Sequence, residues 1–352
     1  MTSFIHPVIL CGGNGKRLWP RSLAARPKPF LPLVGDCTLF EQALDRCDNR
    51  DIYGAPVIVT GADHRPHVED QAGHVADLRI IVEPDGRNTA RAIALAAAML
   101  PDDAIMLFCP SDHHVADAAA FTKAAQTAAA LAARGHMVAF GINAETPNTG
   151  FGYIRRGDPI ENVGPGGATG YRVTQFVEKP DLATAQQFLE DGSYSWNWGI
   201  FAFQAGALLH ELETHLPEMA RLVKEAVAQG EQDRSCFYPA AEHFRQIEGE
   251  SLDYAVMENA KTAAMVPVDM GWSDIGNWSA LHNARGKDES SNSTLGKVEL
   301  VECQNVAVET DGPRVSVVGL QNVVIVVDGD EVLVTSAAGA QFVGRLEGAI
   351  NQ

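Results

Sequence analysis

The chain has 352 residues, 46% of them hydrophobic and 20% charged, with a formal net charge of −18. This is globular composition with enough apolar residues for a large core and about two domains. The acidity excludes a general nucleic-acid binder, which needs a basic footprint, and no apolar run reaches the roughly 18 residues of a membrane span.

Residues 1–35 contain no Asp or Glu but hold Lys16, Arg17, Arg21, Arg26 and Lys28. In an acidic chain such a segment is expected to face an anion. The apolar run at 6–10 predicts a buried strand, followed by the glycine turn CGGNGKR at 11–17. Residues 38–47 have helical spacing, with Thr38 and Glu41 placed as a capping box. Strands follow at 55–61, 78–84, 103–113 and 136–142, with an alanine-rich helix at 87–100 and another helix closed by Gly135. Apolar strands alternating with helices predict an α/β fold: a Rossmann-like mixed, mostly parallel sheet flanked by helices. Ligands then bind beyond the carboxyl ends of the strands. The glycine turn, Glu83 and the PSDH stretch at 110–113 all fall at such ends.

Past residue 150 the pattern is mixed, with strands expected at 150–157, 171–180 and 194–203 and helices at 181–192, 215–230 and 251–260. From about 296 the chain is valine-dense with turn signals, and QNVAV at 304 returns as QNVVI at 321. That predicts a small β-rich, β-helix-like C-terminal domain of stacked strand turns. The expected division is residues 1–285 and 295–352, parted by the polar stretch 284–294. Six scattered cysteines with no paired spacing predict reduced, mostly buried thiols in a cytoplasmic protein.

The glycine turn is neither a Walker loop, since Arg17 follows Lys16 where Ser or Thr is required, nor a dinucleotide fingerprint, since position 18 is Leu. Lys28 between Pro27 and Pro29 presents one cation on a stiff segment. GGNGKRLWP and RPKPFLPLVG, followed in order by EPDGRNTARAIALAA, PSDHHV, NTGFGYI, FVEKP, NWGIFAF and VDMGWSDIGNW, resemble the sugar-1-phosphate nucleotidylyltransferases, in their mannose-1-phosphate guanylyltransferase branch. The resemblance covers about residues 7–280.

The resemblance implies attack of mannose 1-phosphate on the α-phosphate of GTP, giving GDP-mannose and pyrophosphate with Mg2+ as cofactor. It implies nucleotide contacts from Gly12, Gly13, Gly15, Lys16, Arg17, Glu83, Arg87, Asn88, Thr89 and Ser111. Arg17 stabilises the leaving group and Lys28 sits near the α-phosphate. Gly150, Gly152, Glu178, Lys179, Asn197 and Asp269 take the sugar phosphate, and Asp112 and Asp274 hold the metal. Several positions admit plainer readings. Asp112 caps a following helix, Asn88 or Thr89 does the same, and Lys16 is a solvated lysine. The tryptophans beside Asn197 are read as packing. Two departures stand out: Pro29 replaces the usual glutamine, and Arg91 replaces the usual proline and adds a cation beside the base region. A homodimer through the C-terminal domain is expected, as open β stacks expose edges. The chain stops short of the relatives that carry an isomerase domain, so no isomerase activity is expected. Rival readings are another sugar, such as a manno-heptose 1-phosphate, and a catalytically silent binder of sugar nucleotides.

Overall fold

The apolar runs become strands of one eleven-stranded mixed sheet in a computed structural model that describes residues 4–13, 15–86 and 89–351. The chain forms two units that interleave in sequence: Met1–Gly12, Ala43–Ser111 and Ala116–Met270, and Gly13–Gln42, Asp112–Val115 and Gly271–Gln352.

The first unit holds the large sheet. Its parallel block runs Cys236–Tyr238, Arg79–Glu83, Val57–Gly61, Ile5–Cys11 and Ile105–Pro110. Tyr194–Gln204 then pairs antiparallel with Ile105–Pro110 and with Met137–Asn143. Near-continuous runs of buried Val, Ile and Leu make the central strands, because helices cover the sheet faces. Helix Thr89–Ala98 is buried along Ala90–Ala97, as a helix apolar all round must be.

Arg91, which the sequence reading adds as a cation beside the base region, is the exception within that helix. It is fully buried, its guanidinium lies 4.3 Å over the Phe244 ring, and it donates to the Asp85 carbonyl. Two expectations change. Residues 251–260 form only a five-residue π-helical turn, Asp253–Met257. Helix Ala205–His215 has no counterpart in the sequence reading, although buried Ala205, Leu208 and Leu212 carry the helical period. Five of the six free cysteines are buried, and among the described residues no helix is long and apolar enough to cross a membrane.

The second unit contains the stacked strand turns. Ser293–Leu295, Ala307–Thr310 and Val323–Asp328 pair parallel, with Glu331–Ser336 antiparallel at the edge. Val298–Val301 and Val315–Val318 form a second parallel pair. The short repeat marks one rung: Gln304 bridges Gln321, and Asn305 Nδ2 donates to Asn322 Oδ1 across 17 positions at 2.7 Å. Both asparagines are left-handed, with φ of 52° and 55°, a conformation their short polar side chains tolerate.

The same unit contains the signature segment 13–42. Leu18, Trp19, Leu31 and Leu33 share a buried cluster with Trp278, Val326, Leu333 and Val343. The Thr38 and Glu41 capping box forms in both directions, at 2.7 and 3.1 Å. Arg21 Nε lies 2.7 Å from Glu309, Arg285 pairs with the same carboxylate at 2.7 Å, and Arg26 pairs with Asp328. The cations of the acid-free segment are therefore not all reserved for an external anion.

Removing one member of a buried ion network costs about 3–5 kcal/mol, because the partner charge stays buried. Glu309→Ala is expected to lower the unfolding free energy, read from urea denaturation, by that amount, with a matching fall in the midpoint. Glu225→Ala, which breaks an exposed pair with Arg221, should leave the midpoint unchanged within error.

Candidate active site

In the second unit Gly15 has φ of 62°, and a Cβ there would lie 2.5 Å from Lys28 Cβ and 3.0 Å from Ser22 Oγ. Only glycine allows the lysine stem to lie against the turn. Gly13 has φ of 83°, and Gly12 and Gly13 are exposed. Lys16, Arg17 and Leu18 make one 3-10 turn that buries Leu18 and leaves both cations exposed. Among the described residues no carboxylate pairs with either. The turn is backed from the C-terminal segment, where a Cβ on Gly344 would come 3.2 Å from Arg17 Cγ and one on Gly348 would come 2.8 Å from the Trp19 ring.

Lys28 is buried in a second 3-10 turn. Its ammonium donates to Asp112 Oδ2 at 2.8 Å and to the Asp274 backbone carbonyl. These aspartates meet because His114–Val115 pairs antiparallel with Trp272–Ser273. Burial alone would lift the Asp112 carboxyl, but Lys28 and His113 together hold it below the usual range. Asp274 Oδ1 accepts the Gly276 N–H at 3.1 Å. Among the described residues no group of three or more His, Cys, Asp or Glu side chains is placed to hold a metal ion, and the Asp112 carboxylate is shared with the Lys28 ammonium. The helix Ala118–Ala132 is capped by Asp117, which leaves Asp112 free of that task. His113 packs edge-on against Trp272, and His114 bonds Gln42.

The first unit gathers a carboxylate group. Gly152 is flanked so closely that a Cβ would sit 2.4 Å from Glu178 Oε2 and 3.1 Å from Asn197 Cβ. Glu178 Oε2 is buried with no hydrogen-bond partner among the described residues, while Oε1 lies 3.1 Å from the exposed Lys179 ammonium. Lys179 has φ of 47° and donates its backbone N–H to Phe151. Asn197 Nδ2 donates to Asp253 Oδ1 at 2.6 Å, and its Oδ1 accepts from Gly199. The sequence reading left both ends of that amide for sugar; the carbonyl end and one N–H are engaged internally. Trp198 is buried and Trp196 packs against Phe151, as read from sequence. Gly150 and Asp269 are exposed.

Asp253 was not among the sequence candidates. Burial, with the Glu178 charge adding to it, pushes its carboxyl up to about 6. The signal was a lone Asp in an apolar stretch taken for an amphipathic helix.

Of the base-region candidates, Arg87 and Asn88 lie outside the described residues. Thr89 Oγ1 accepts the Leu252 N–H at 3.2 Å. Ser111 is fully buried and its backbone N–H bonds Leu10. Glu83 is buried 3.9 Å from Arg91 Nε, and burial, opposed by Arg91, raises it to about 7.

A nucleotidyl transferase family model matches residues 6–291. The alginate biosynthesis protein AlgA of Pseudomonas syringae pv. tomato is 39% identical over 351 residues, covering 98% of this chain and 72% of that one. A mannose-1-phosphate guanylyltransferase of Sinorhizobium fredii is 38% identical, covering 98% of this chain and 66% of that protein, so this chain spans just under two thirds of its length. A crystal structure from Thermus thermophilus, described as a mannose-1-phosphate geranyltransferase, matches with a TM-score of 0.87 at 31% identity over 99% of both chains.

The raised Asp253 carboxyl has a consequence for stability. The folded state holds this proton more tightly than the unfolded chain, so its contribution to stability falls as pH rises from the ordinary aspartate value through about 6. Asp253→Asn keeps an acceptor for Asn197 and removes the titration. Its melting temperature relative to the parent chain is expected to climb between pH 4 and 6 and level off above 7. A difference flat across that range would contradict the assignment.

Proposed function

The chain belongs to the nucleotidyl transferase family, and we propose that it transfers a guanylyl group from GTP to mannose 1-phosphate, giving GDP-mannose and pyrophosphate. The observation that carries this reading is the grouping in one unit of Gly13, Gly15, two exposed cations and a lysine held by Asp112 and the Asp274 backbone.

An oxygen of the sugar phosphate forms the new bond to the α-phosphorus, and the bond from that phosphorus to the β-phosphate bridging oxygen breaks. The electron pair leaves with pyrophosphate. The protein supplies alignment and charge compensation rather than covalent chemistry. Gly12, Gly13 and Gly15 let the backbone approach the nucleotide, with Lys16 and Arg17 on its phosphates. Arg17 meets charge growing on the leaving group. Lys28, anchored through Asp112, points one ammonium at the α-phosphate. Asp112 and Asp274 supply the oxygens for Mg2+, which when bound neutralises phosphate charge. Lys179 pairs with the sugar phosphate, and Glu178 accepts sugar hydroxyls through its free Oε2, beside the remaining N–H of Asn197. Residues 83–89 take the base and ribose, with Ser111 supporting the strand end behind them. On this reading residues 1–285 carry the chemistry, and residues 295–352 support the signature segment.

Pyrophosphate release with Mg2+, GTP and mannose 1-phosphate, each omitted in turn, tests the reading; release is expected only with all three. Release with another sugar 1-phosphate alone would move the substrate assignment, and nucleotide binding without release from any of them would make the chain a silent binder. Asp112→Ala and Asp274→Ala are each expected to lower turnover about 10³-fold. Lys179→Ala should raise the sugar-phosphate KM about tenfold and leave the GTP KM unchanged; a rise confined to GTP would overturn its assignment.

A further inference from the structure

A cavity of about 690 Å3 opens at the opposite end of the parallel strands from Glu83. His6 lies near the start of Ile5–Cys11, Arg79 is the first residue of Arg79–Glu83, and Arg234 sits in the turn before Cys236–Tyr238. All three line the cavity and belong to the first unit. The sequence reading gave none of them a role, and the proposed reaction does not use them.

The charge at this place is unusual for the molecule. In a chain of net charge −18, Arg79 and Arg234 both face the cavity, and neither has an ion-pair partner among the described residues. Asp77 also lines it. Helix Thr89–Ala98 ends beside it with the equivalent of roughly half a negative charge. Two guanidiniums outweigh both, so the local balance is positive. The positive charge is felt inside the cavity: burial, and then Arg79, hold the His6 imidazole below its usual pKa.

Leu78, Met99 and Leu100 add apolar surface to the lining. Arg234 and Asp77 are held at positive φ, 52° and 58°. Gln232 pins the Arg234 turn by donating to the Arg234 and Cys236 carbonyls. The Arg234 value is the one a two-residue turn between Asp233 and Cys236 calls for, so the hairpin fixes where Arg234 sits. The volume lies in the range of small-molecule sites, which combine an apolar lining with a few placed polar groups. Paired arginines match phosphate oxygens in geometry and charge.

We propose that this cavity is a second nucleotide site, which takes a nucleoside diphosphate or its sugar ester with the phosphates on Arg79 and Arg234 and the apolar body against Leu78, Met99 and Leu100. It is distinct from the glycine turn and does not depend on the proposed reaction.

Calorimetric titration of the full chain with GDP tests it. Two GDP per chain are expected. Arg79→Gln with Arg234→Gln should weaken one of the two events at least tenfold and leave basal turnover unchanged. Arg17→Ala with Lys28→Ala should remove only the other. If the glycine turn binds no nucleotide, a single event remains, and its loss in the Arg79 and Arg234 variant still supports the cavity. Binding unchanged in that variant overturns the proposal, as does equal competition for the site by inorganic phosphate, which marks a bare anion pocket. A second measurement needs no variant at the arginines. The His6 imidazole, followed by NMR and assigned with His6→Gln, should titrate at higher pH when GDP is bound, since an anion seated against Arg79 reverses the local sign. An unmoved His6 titration contradicts the placement.

Discussion

The five cations of residues 16–28, a stretch with no acid of its own, must draw any carboxylate partner from elsewhere in the chain, and what the signature segment presents depends on how those carboxylates are shared out. Arg21 and Arg26 are taken by Glu309 and Asp328, and Lys28 by Asp112. Lys16 and Arg17 are left exposed. The ion pairs do not supply the stability. Each well-buried Leu or Val in the shared cluster contributes about 1.5–3 kcal/mol, whereas a buried ion pair gains little over an apolar replacement. Burial of Leu18, Trp19, Leu31 and Leu33 holds the segment down, and the charges decide which cations turn inward and which remain available.

Much of the architecture was legible because it is local. The runs at Ile5–Cys11, Val57–Gly61 and Ile105–Pro110 announce buried parallel strands, and the capping box at Thr38 forms as its spacing demands. The repeated Gln-Asn pair likewise gives the rung of the β-rich part. What the sequence hid is long-range pairing of charge. Arg26 and Asp328 are 302 positions apart, so a composition argument sees an unpaired cation where the fold makes a pair. Arg91 shows the same limit: its buried seat is made by the distant Phe244 ring and the Asp85 carbonyl, which the helix around it does not announce. Asp253 was lost because a π-helical turn has no period of its own to read.

Two carboxyl groups of the first unit are pushed up for different reasons. For Asp253, burial and a neighbouring carboxylate act together; for Glu83, burial is partly undone by Arg91. The first arrangement concentrates hydrogen-bond acceptors beside Gly152, where even a methyl group does not fit. The second closes on itself, with the carboxyl facing a guanidinium that is fully buried.

The 17-position spacing between Asn305 and Asn322 bears on how this part of the chain can change length. Each rung pairs only with its neighbours, and one corner is tied to the next through Asn305 and Asn322. Insertion or loss of a whole rung keeps every side chain on its face. The turns between strands absorb other length changes: Ser293 faces Ala307 after 14 positions and Ala307 faces Val324 after 17, and both pairs stay parallel. Length differences confined to the turns should therefore be tolerated in this region, whereas a one-residue shift within a strand puts its inward valines on the outer face.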